Sequence, residues 1–305
     1  MKVSVLINNY NYQNYVIEAV NSVLSQTRPP EEIIVVDDGS TDLSPIKLQE
    51  HFSKHSTVKL ILKENAGQLS CFNEGFKQSS GDIIFFLDSD DLYKPNYLEN
   101  ALSFYERFPE CDFLMCDFER IGQATGRRAD YKDDRNLGRS TIATLYRNRW
   151  LGAITTTLSA RRNTLEKILP VPFVQEWVND AENCMVYGSS IVGAHKFYCA
   201  QDLIQYRLHG KNYHFKCDGR VGHERRSRLF DFFMEKVNYP DDLYQQAGTE
   251  FKTIPKPLYK EFRLYLSIIK KSPLSALKKI RAMVPIVLHF LVNGDFSSNV
   301  PNWHL

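Results

Sequence analysis

Residues 85–95 read FFLDSDDLYKP and set three carboxylates, Asp88, Asp90 and Asp91, within four positions at the end of an apolar run. Two unit charges about 5 Å apart repel by roughly 3 kcal/mol at an effective dielectric near 20, so the cluster asks for a cation. Mg2+ or Mn2+ prefers oxygen ligands and binds through one or two carboxylates plus substrate phosphates. The structural alternative is that Asp90 or Asp91 caps a helix beginning near Pro95, since Asp with a following Pro is a common helix-start signal.

The elements around the cluster say where it stands. Short β-branched runs at Val3 to Ile7, Ile33 to Val36, Val58 to Leu62, Ile83 to Leu87 and Asp112 to Met115 alternate with helical patterns near 13–26, 43–54, 68–79 and 95–107. This spacing predicts βαβ units and a mostly parallel, Rossmann-like sheet flanked by helices. Such sheets bind ligands at the carboxyl ends of their strands. The polar loops collect there: Asn8 to Asn11, the DDGSTD run from Asp37 to Asp42, and the aspartate cluster. Residues 118–140 carry many charges and little apolar period and read as a mobile connection or lid. Beyond them the pattern predicts a strand over Ala153 to Ser159, a helix over 180–192, strands near 195–199 and 203–208, and a mainly helical last third.

The chain has 305 residues, 43% apolar and 24% charged, enough for one large domain or two modest ones. A net charge of +2 gives no field that would make nucleic acid the main partner. The balance is uneven: residues 251–305 hold nine Lys and Arg against Glu261 and Asp295, a surplus of +7 that leaves −5 for the remainder. Six cysteines without a CxxC pair read as buried thiols of a reducing, cytoplasmic setting, and the opening MKVSVLINNYN enters fold-forming sequence without a signal peptide. No GxGxxG follows the first strand, so a dinucleotide site has little support.

Roughly residues 1–215 resemble an inverting nucleotide-sugar glycosyltransferase of family two, which has the GT-A fold. SVLINNYN resembles that family's first strand and turn, VVDDGSTD its second, NAGQLSCFNEGF the glycine-containing turn and helix before the fourth strand, and FLDSDD its DxD-type metal motif. NDAEN at 179–183 stands where the family shows Glu-Asp, and YRLHGKN at 206–212 matches its late Arg-x-His segment. The order and spacing of these segments together carry the resemblance. It implies a donor-binding half over 1–117, an acceptor-binding and catalytic half over 118–250, and a basic helical extension over 251–305.

The resemblance also implies roles. Asp90 and Asp91 would coordinate Mn2+ or Mg2+, with Asp88 nearer the ribose and His209 approaching the metal and diphosphate; Arg207 or Lys211 could hold phosphate charge. Tyr10 resembles the stacking residue for the base, Asp38 the carboxylate that accepts from a uracil ring N–H, and Asn8 would add a contact. Gly67 and Asn73 would shape the turn and helix beneath the donor, and Phe72 stands where many relatives carry Arg. Asp180 resembles the base that takes the acceptor's proton, with Glu182 as the fallback because Asn179 replaces the first member of the Glu-Asp pair. Structural readings stand beside these: the Asn-rich turn could satisfy its own backbone, and Asp37, Asp38, Asp42 and Asp180 could serve turns and helix caps.

The acceptor, a glycan, lipid-linked or protein hydroxyl, leaves a fainter mark. Trp150 and Trp177 are candidates to stack on a sugar face, with core packing as the alternative. The tail LKKIRAMVPIVLHFLVNG joins a basic flank to an apolar run too short, and broken by Pro285, to span a bilayer. It could lie peripherally on a cytoplasmic membrane face or pack on the catalytic domain or another subunit of a homo-oligomer. Two other classes remain at this stage: a catalytically silent sugar-nucleotide-binding scaffold, and a nucleotidyltransferase, which would need an early glycine- and basic-rich loop that is not seen.

Overall fold

The computed structural model describes residues 1–210, 212, 222–237, 241–254, 256–272 and 274–295. The first strands, β1 (Val3–Asn9), β2 (Glu32–Asp37), β3 (Val58–Leu62) and β4 (Ile83–Asp88), alternate with α1 (Val16–Leu24), α2 (Ser44–Phe52) and α3 (Gln68–Gln78). They pair in parallel, with Ile7 of β1 opposite Val35 of β2 on one side and Leu87 of β4 on the other. The near-continuous apolar runs follow from burial of both faces. Val3, Val5 and Ile7 pack with Val16, Val20 and Val23 of α1, whereas Leu6 packs with Leu69, Phe72 and Phe76 of α3. Each such buried side chain contributes about 1.5–3 kcal/mol, and a slip by one residue would exchange the two faces, so the register is strongly fixed.

The chain continues through β5 (Leu92–Tyr93), α4 (Tyr97–Arg107), β6 (Phe113–Gly122), β7 (Gly126–Arg128), β8 (Arg135–Gly138), α5 (Thr141–Arg147), β9 (Leu158–Arg161), α6 (Arg162–Ile168), α7 (Glu182–Ile191) and β10 (Lys196–Leu208). The sheet order is β3-β2-β1-β4-β9-β6-β10-β5, with β7 paired to β6 and β8 to β10. β9 runs antiparallel between β4 and β6, so residues on either side of position 117 contribute to one sheet. The boundary expected at residue 117 therefore falls inside β6.

Three expectations change. Residues 118–140, expected as a mobile connection or lid, hold regular strands: β6 extends to Gly122, β7 folds back on it with Arg120 opposite Gly126, and β8 pairs with β10. The partner of β8 is distant in sequence and the β7 side chains are exposed, so no apolar period announces these strands. The strand expected over 153–159 begins later, because Thr155–Thr157 form a 3-10 turn before β9. The two strands expected near 195–199 and 203–208 are one strand, β10, with register shifts between Cys199 and Ile204.

The last helices are α8 (His223–Lys236), α9 (Asp241–Lys252), α10 (Tyr259–Lys271) and α11 (Ala276–Asn293), and α11 continues through Pro285. Phe251, Tyr265, Ile269, Ile286 and Phe290 form a separate core that reaches Ile142 of α5. Buried Glu250 ties this unit to the sheet half, accepting the backbone N–H of Ile142 at 2.9 Å and the Tyr265 hydroxyl. The expected boundary at 250 falls inside α9. Among the described residues, Cys71, Cys111, Cys116, Cys184 and Cys199 are buried free thiols, and no helix is long and apolar enough to cross a membrane.

Candidate active site

The strand register brings the polar loops together. Asn8 stands opposite Asp88, and Asn9 opposite Asp37, at the carboxyl ends of β1, β2 and β4. The loops border a cleft of about 500 Å3 whose lining includes Tyr10, Asp38, Asp88, Asp90, Asp180 and Glu182. Asn8 and Gly67 also line it.

The three aspartates divide their work. Asp91 is fully buried: its Oδ2 accepts the Thr156 hydroxyl at 2.6 Å and its Oδ1 the Arg207 backbone N–H at 2.9 Å. Asp91, expected as a metal ligand, does not line the cleft that Asp88 and Asp90 face, and its oxygens brace the loop from beneath. Neither Asp90 nor Asp91 caps α4, whose N-cap is Asn96. Asp88 and Asp90 face the cleft, and burial together with the Asp90 charge pushes Asp88 up to about 7. Asp88 is held by Asn8 and by Gln68, whose Nε2 donates to its Oδ1 at 3.0 Å.

His209 lies just behind Asp90. Its Nε2 is 2.9 Å from Asp90 Oδ2, and its ring stacks on Tyr15 with centroids 5.0 Å apart. Asn212, which lines the cleft, donates to the Arg207 carbonyl at 2.8 Å and accepts the His209 N–H at 2.9 Å. Arg207 braces the loop instead of facing phosphate: its Nε donates to the Asp90 carbonyl at 2.9 Å and its Nη2 to Glu18 at 2.7 Å. That corrects its expected role, because the guanidinium is already paired and Arg207 does not line the cleft. Lys211 lies outside the described residues.

At the opposite end, the Asp38 carboxylate accepts the N–H groups of Ala66 at 3.0 Å and Gly67 at 2.8 Å, and Lys63 pairs with it. Tyr10 stands at the mouth, 46% exposed. Gly67 has φ +89, and a Cβ there would lie 2.4 Å from the Val178 Cα. Only glycine allows this close approach, which docks the 177–180 loop onto the start of α3: Gln68 N–H donates to the Val178 carbonyl at 2.9 Å and Leu69 N–H to Trp177 at 3.2 Å. Trp177 is fully buried beneath this loop, with the Arg225 guanidinium 4.3 Å from its ring centroid. It is an anchor, and its expected stacking on a sugar is corrected because no ring face reaches solvent. Asn73 exchanges hydrogen bonds with the Val171 backbone at 2.8 and 3.0 Å, tying α3 to the segment after α6.

Asp180 ends the docked loop at φ +58, ahead of an α7 N-cap at Ala181, so it is not the cap. Glu182, in the first turn of α7, is buried, and burial plus the Asp180 charge push it up to about 8. Asn183 donates to the Asp180 carbonyl at 3.0 Å and accepts Trp150 Nε1–H at 2.9 Å. Trp150 is 41% exposed and lines a smaller cavity that shares Ile154 with the main cleft. Gln68, Asn183, Thr156 and Asn212 were missed by sequence reasoning. Gln68, Asn183 and Asn212 did lie within the quoted segments NAGQLSCFNEGF, NDAEN and YRLHGKN; Thr156 carried no such signal.

Residues 4–169 match the model of glycosyl transferase family 2. The chain belongs to that family. It is 32% identical over 257 residues to an uncharacterized glycosyltransferase of Nostoc sp. (strain PCC 7120), covering 78% of this chain and 77% of the relative. It is 38% identical over 123 residues to a Bacillus subtilis protein whose name assigns it to teichuronic acid biosynthesis, covering 40% of this chain and 48% of that one. Residues 1–349 of Staphylococcus aureus TarS, solved with UDP-GlcNAc, superpose with a TM-score of 0.58 at 19% identity over 96% of this chain and 74% of that one. The transferase therefore has the GT-A fold, and its reaction class is glycosyl transfer.

Proposed function

We propose that this transferase is inverting, depends on a divalent cation, and moves a sugar from a UDP-linked donor to an acceptor hydroxyl of a growing glycan or related glycoconjugate. The observation that carries the reading is the one cleft faced by Asp88 and Asp90 on one wall and by Asp180 and Glu182 on another. Similarity to TarS with UDP-GlcNAc and to the teichuronic acid protein supports the donor and acceptor classes.

The donor set suits a hard cation. Among the described residues no group of three His, Cys, Asp or Glu side chains forms a metal cage; Mg2+ and Mn2+ commonly take one or two carboxylates and complete their shell with water and phosphate. Asp90 and Asp88 would hold the ion, with His209 beside Asp90. The ion when bound supplies compensation for charge growing on the departing diphosphate. Tyr10 would stack on the uracil ring. Asp38 would accept its N–H through Oδ2: a carboxylate offers about four lone-pair sites, Oδ1 already takes the Ala66 N–H and Lys63, and Oδ2 accepts the Gly67 N–H at 2.8 Å. Asn8 would add a contact at the same corner. Trp150 would meet the acceptor sugar across Ile154.

Asp180 takes the proton from the acceptor hydroxyl as it attacks the anomeric carbon, and Glu182, held protonated at neutral pH, leaves a single acidic group poised as base. One base and one in-line displacement invert the anomeric centre. The test is UDP release from a panel of UDP-sugars with and without Mn2+. Mn2+-dependent release lost in Asp180→Asn, with donor binding retained, supports the reading; donor binding without any turnover in the unaltered protein and acceptor pool would make the chain a scaffold instead.

A further inference from the structure

Helix α11 is apolar on two opposite faces. One carries Ala282, Ile286 and Phe290 into the core shared with α9 and α10. The other carries Leu277, Ile280, Val284, Leu288 and Leu291, spaced by three, four, four and three residues and 47% to 62% exposed, with Val292 beside them at 81%. That spacing aligns them along one side of the helix over about 21 Å. Isolated exposed aliphatics are ordinary on a protein surface, but a continuous ridge of this length marks a contact site.

The surroundings select the occupant. Exposed Lys270 and Lys271 end α10, and the neighbouring start of α11 adds exposed Lys278 and Arg281; Lys279 Nζ joins the two helices by donating to the Lys270 carbonyl at 2.9 Å. Within α11 there is no acidic residue. A second copy would set this cationic surface against an equally cationic one, with only Glu261 and Asp295 in residues 251–305 to pair with nine Lys and Arg. An anionic, apolar-cored surface complements both features.

We infer that the outer face of α11 is a membrane-surface contact, its aliphatic ridge entering the acyl boundary while Lys270, Lys271, Lys278 and Arg281 meet anionic headgroups. The long basic side chains reach the headgroup level while their stems remain along the apolar surface. The inference is independent of the catalytic reading and concerns a surface remote from the cleft-lining residues in sequence.

Flotation of the full chain with vesicles of phosphatidylcholine containing about one-third phosphatidylglycerol tests it. The chain floats at low salt, floats weakly with phosphatidylcholine alone, and is released as ionic strength rises. Leu288→Gln with Leu291→Gln lowers partitioning more than about tenfold. Changing Lys270, Lys271 and Arg281 together to Gln lowers it on the order of 100-fold, at about fivefold per charge near the surface. Melting temperature and donor hydrolysis of both variants stay unchanged, which separates lost contact from lost folding. Absence of flotation at low salt, or equal flotation by the variants, overturns the inference. A dimer in sedimentation that Leu288→Gln dissociates, without vesicle binding, would assign the ridge to a second copy.

Discussion

Gln68 donates its Nε2–H to Asp88 Oδ1 at 3.0 Å, and its Oε1 accepts the Ala181 backbone N–H at 3.0 Å. A single side chain at the start of α3 thus ties the carboxylate at the end of β4 to the residue that follows Asp180. The two walls of the cleft keep a fixed separation through it, and the reaction needs the donor and the base at a set distance. Gln68→Ala is expected to lower donor turnover by roughly 10- to 100-fold while costing only about 1 kcal/mol of stability. Steady-state kinetics beside denaturant melts check this, and unchanged turnover would remove Gln68 from the positioning network.

Gly67→Ala meets two obstacles, φ +89 and a Cβ 2.4 Å from the Val178 Cα. The dihedral alone costs about 1–3 kcal/mol, and relief of the clash must move the 177–180 loop. The expected result is a melting temperature lowered by several degrees together with loss of turnover. A near-neutral melt would show that the loop is not docked as described.

Asp90 and Asp91 are adjacent but should fail differently. Asp91→Ala leaves the Thr156 hydroxyl and the Arg207 N–H without their buried acceptor, an expected loss of about 1–3 kcal/mol per group. Asp90→Ala relieves the repulsion that pushes up Asp88, so it should leave stability close to that of the parent while removing Mn2+-dependent turnover. Thermal melts of the two variants, with Mn2+ titrated into donor hydrolysis, separate the brace from the ligand.

Glu182 gives a pH signature. Its folded pKa, about 8, lies above the usual glutamate value of 4.5, so its contribution to stability is fully present below 4.5 and is lost as pH rises through about 8. Glu182→Gln keeps the neutral form at every pH. It should therefore match the parent near pH 4 and exceed it increasingly up to pH 8, by a few kcal/mol. With Asp180 proposed as the base, Glu182→Gln should also retain most donor turnover. A stability difference that does not vary with pH would contradict the assigned burial.

Much of this arrangement was legible in the sequence. The four parallel strands are visible because burial on both faces leaves unbroken apolar runs such as IIFFL, and the polar segments after them necessarily gather at one rim. The hairpin of β6 and β7 was not legible, since its pairing is main-chain and its β7 side chains face solvent. Trp177 and Arg207 illustrate a second limit. Residue type and motif position placed both near substrate, but the contacts made by Arg225 on Trp177 and by Glu18 on Arg207 come from segments far away in the chain. Gln68 lies within the quoted NAGQLSCFNEGF segment, but its linking role rests on hydrogen bonds to loops 20 and 113 residues away that no local pattern shows.

The most direct test of the account is donor turnover by Asp180→Asn, measured beside UDP-sugar binding in the presence of Mn2+. The account predicts binding within a few-fold of the parent and turnover lowered by about 100-fold or more, the ordinary scale for removing a general base. Turnover equal to the parent's would contradict it.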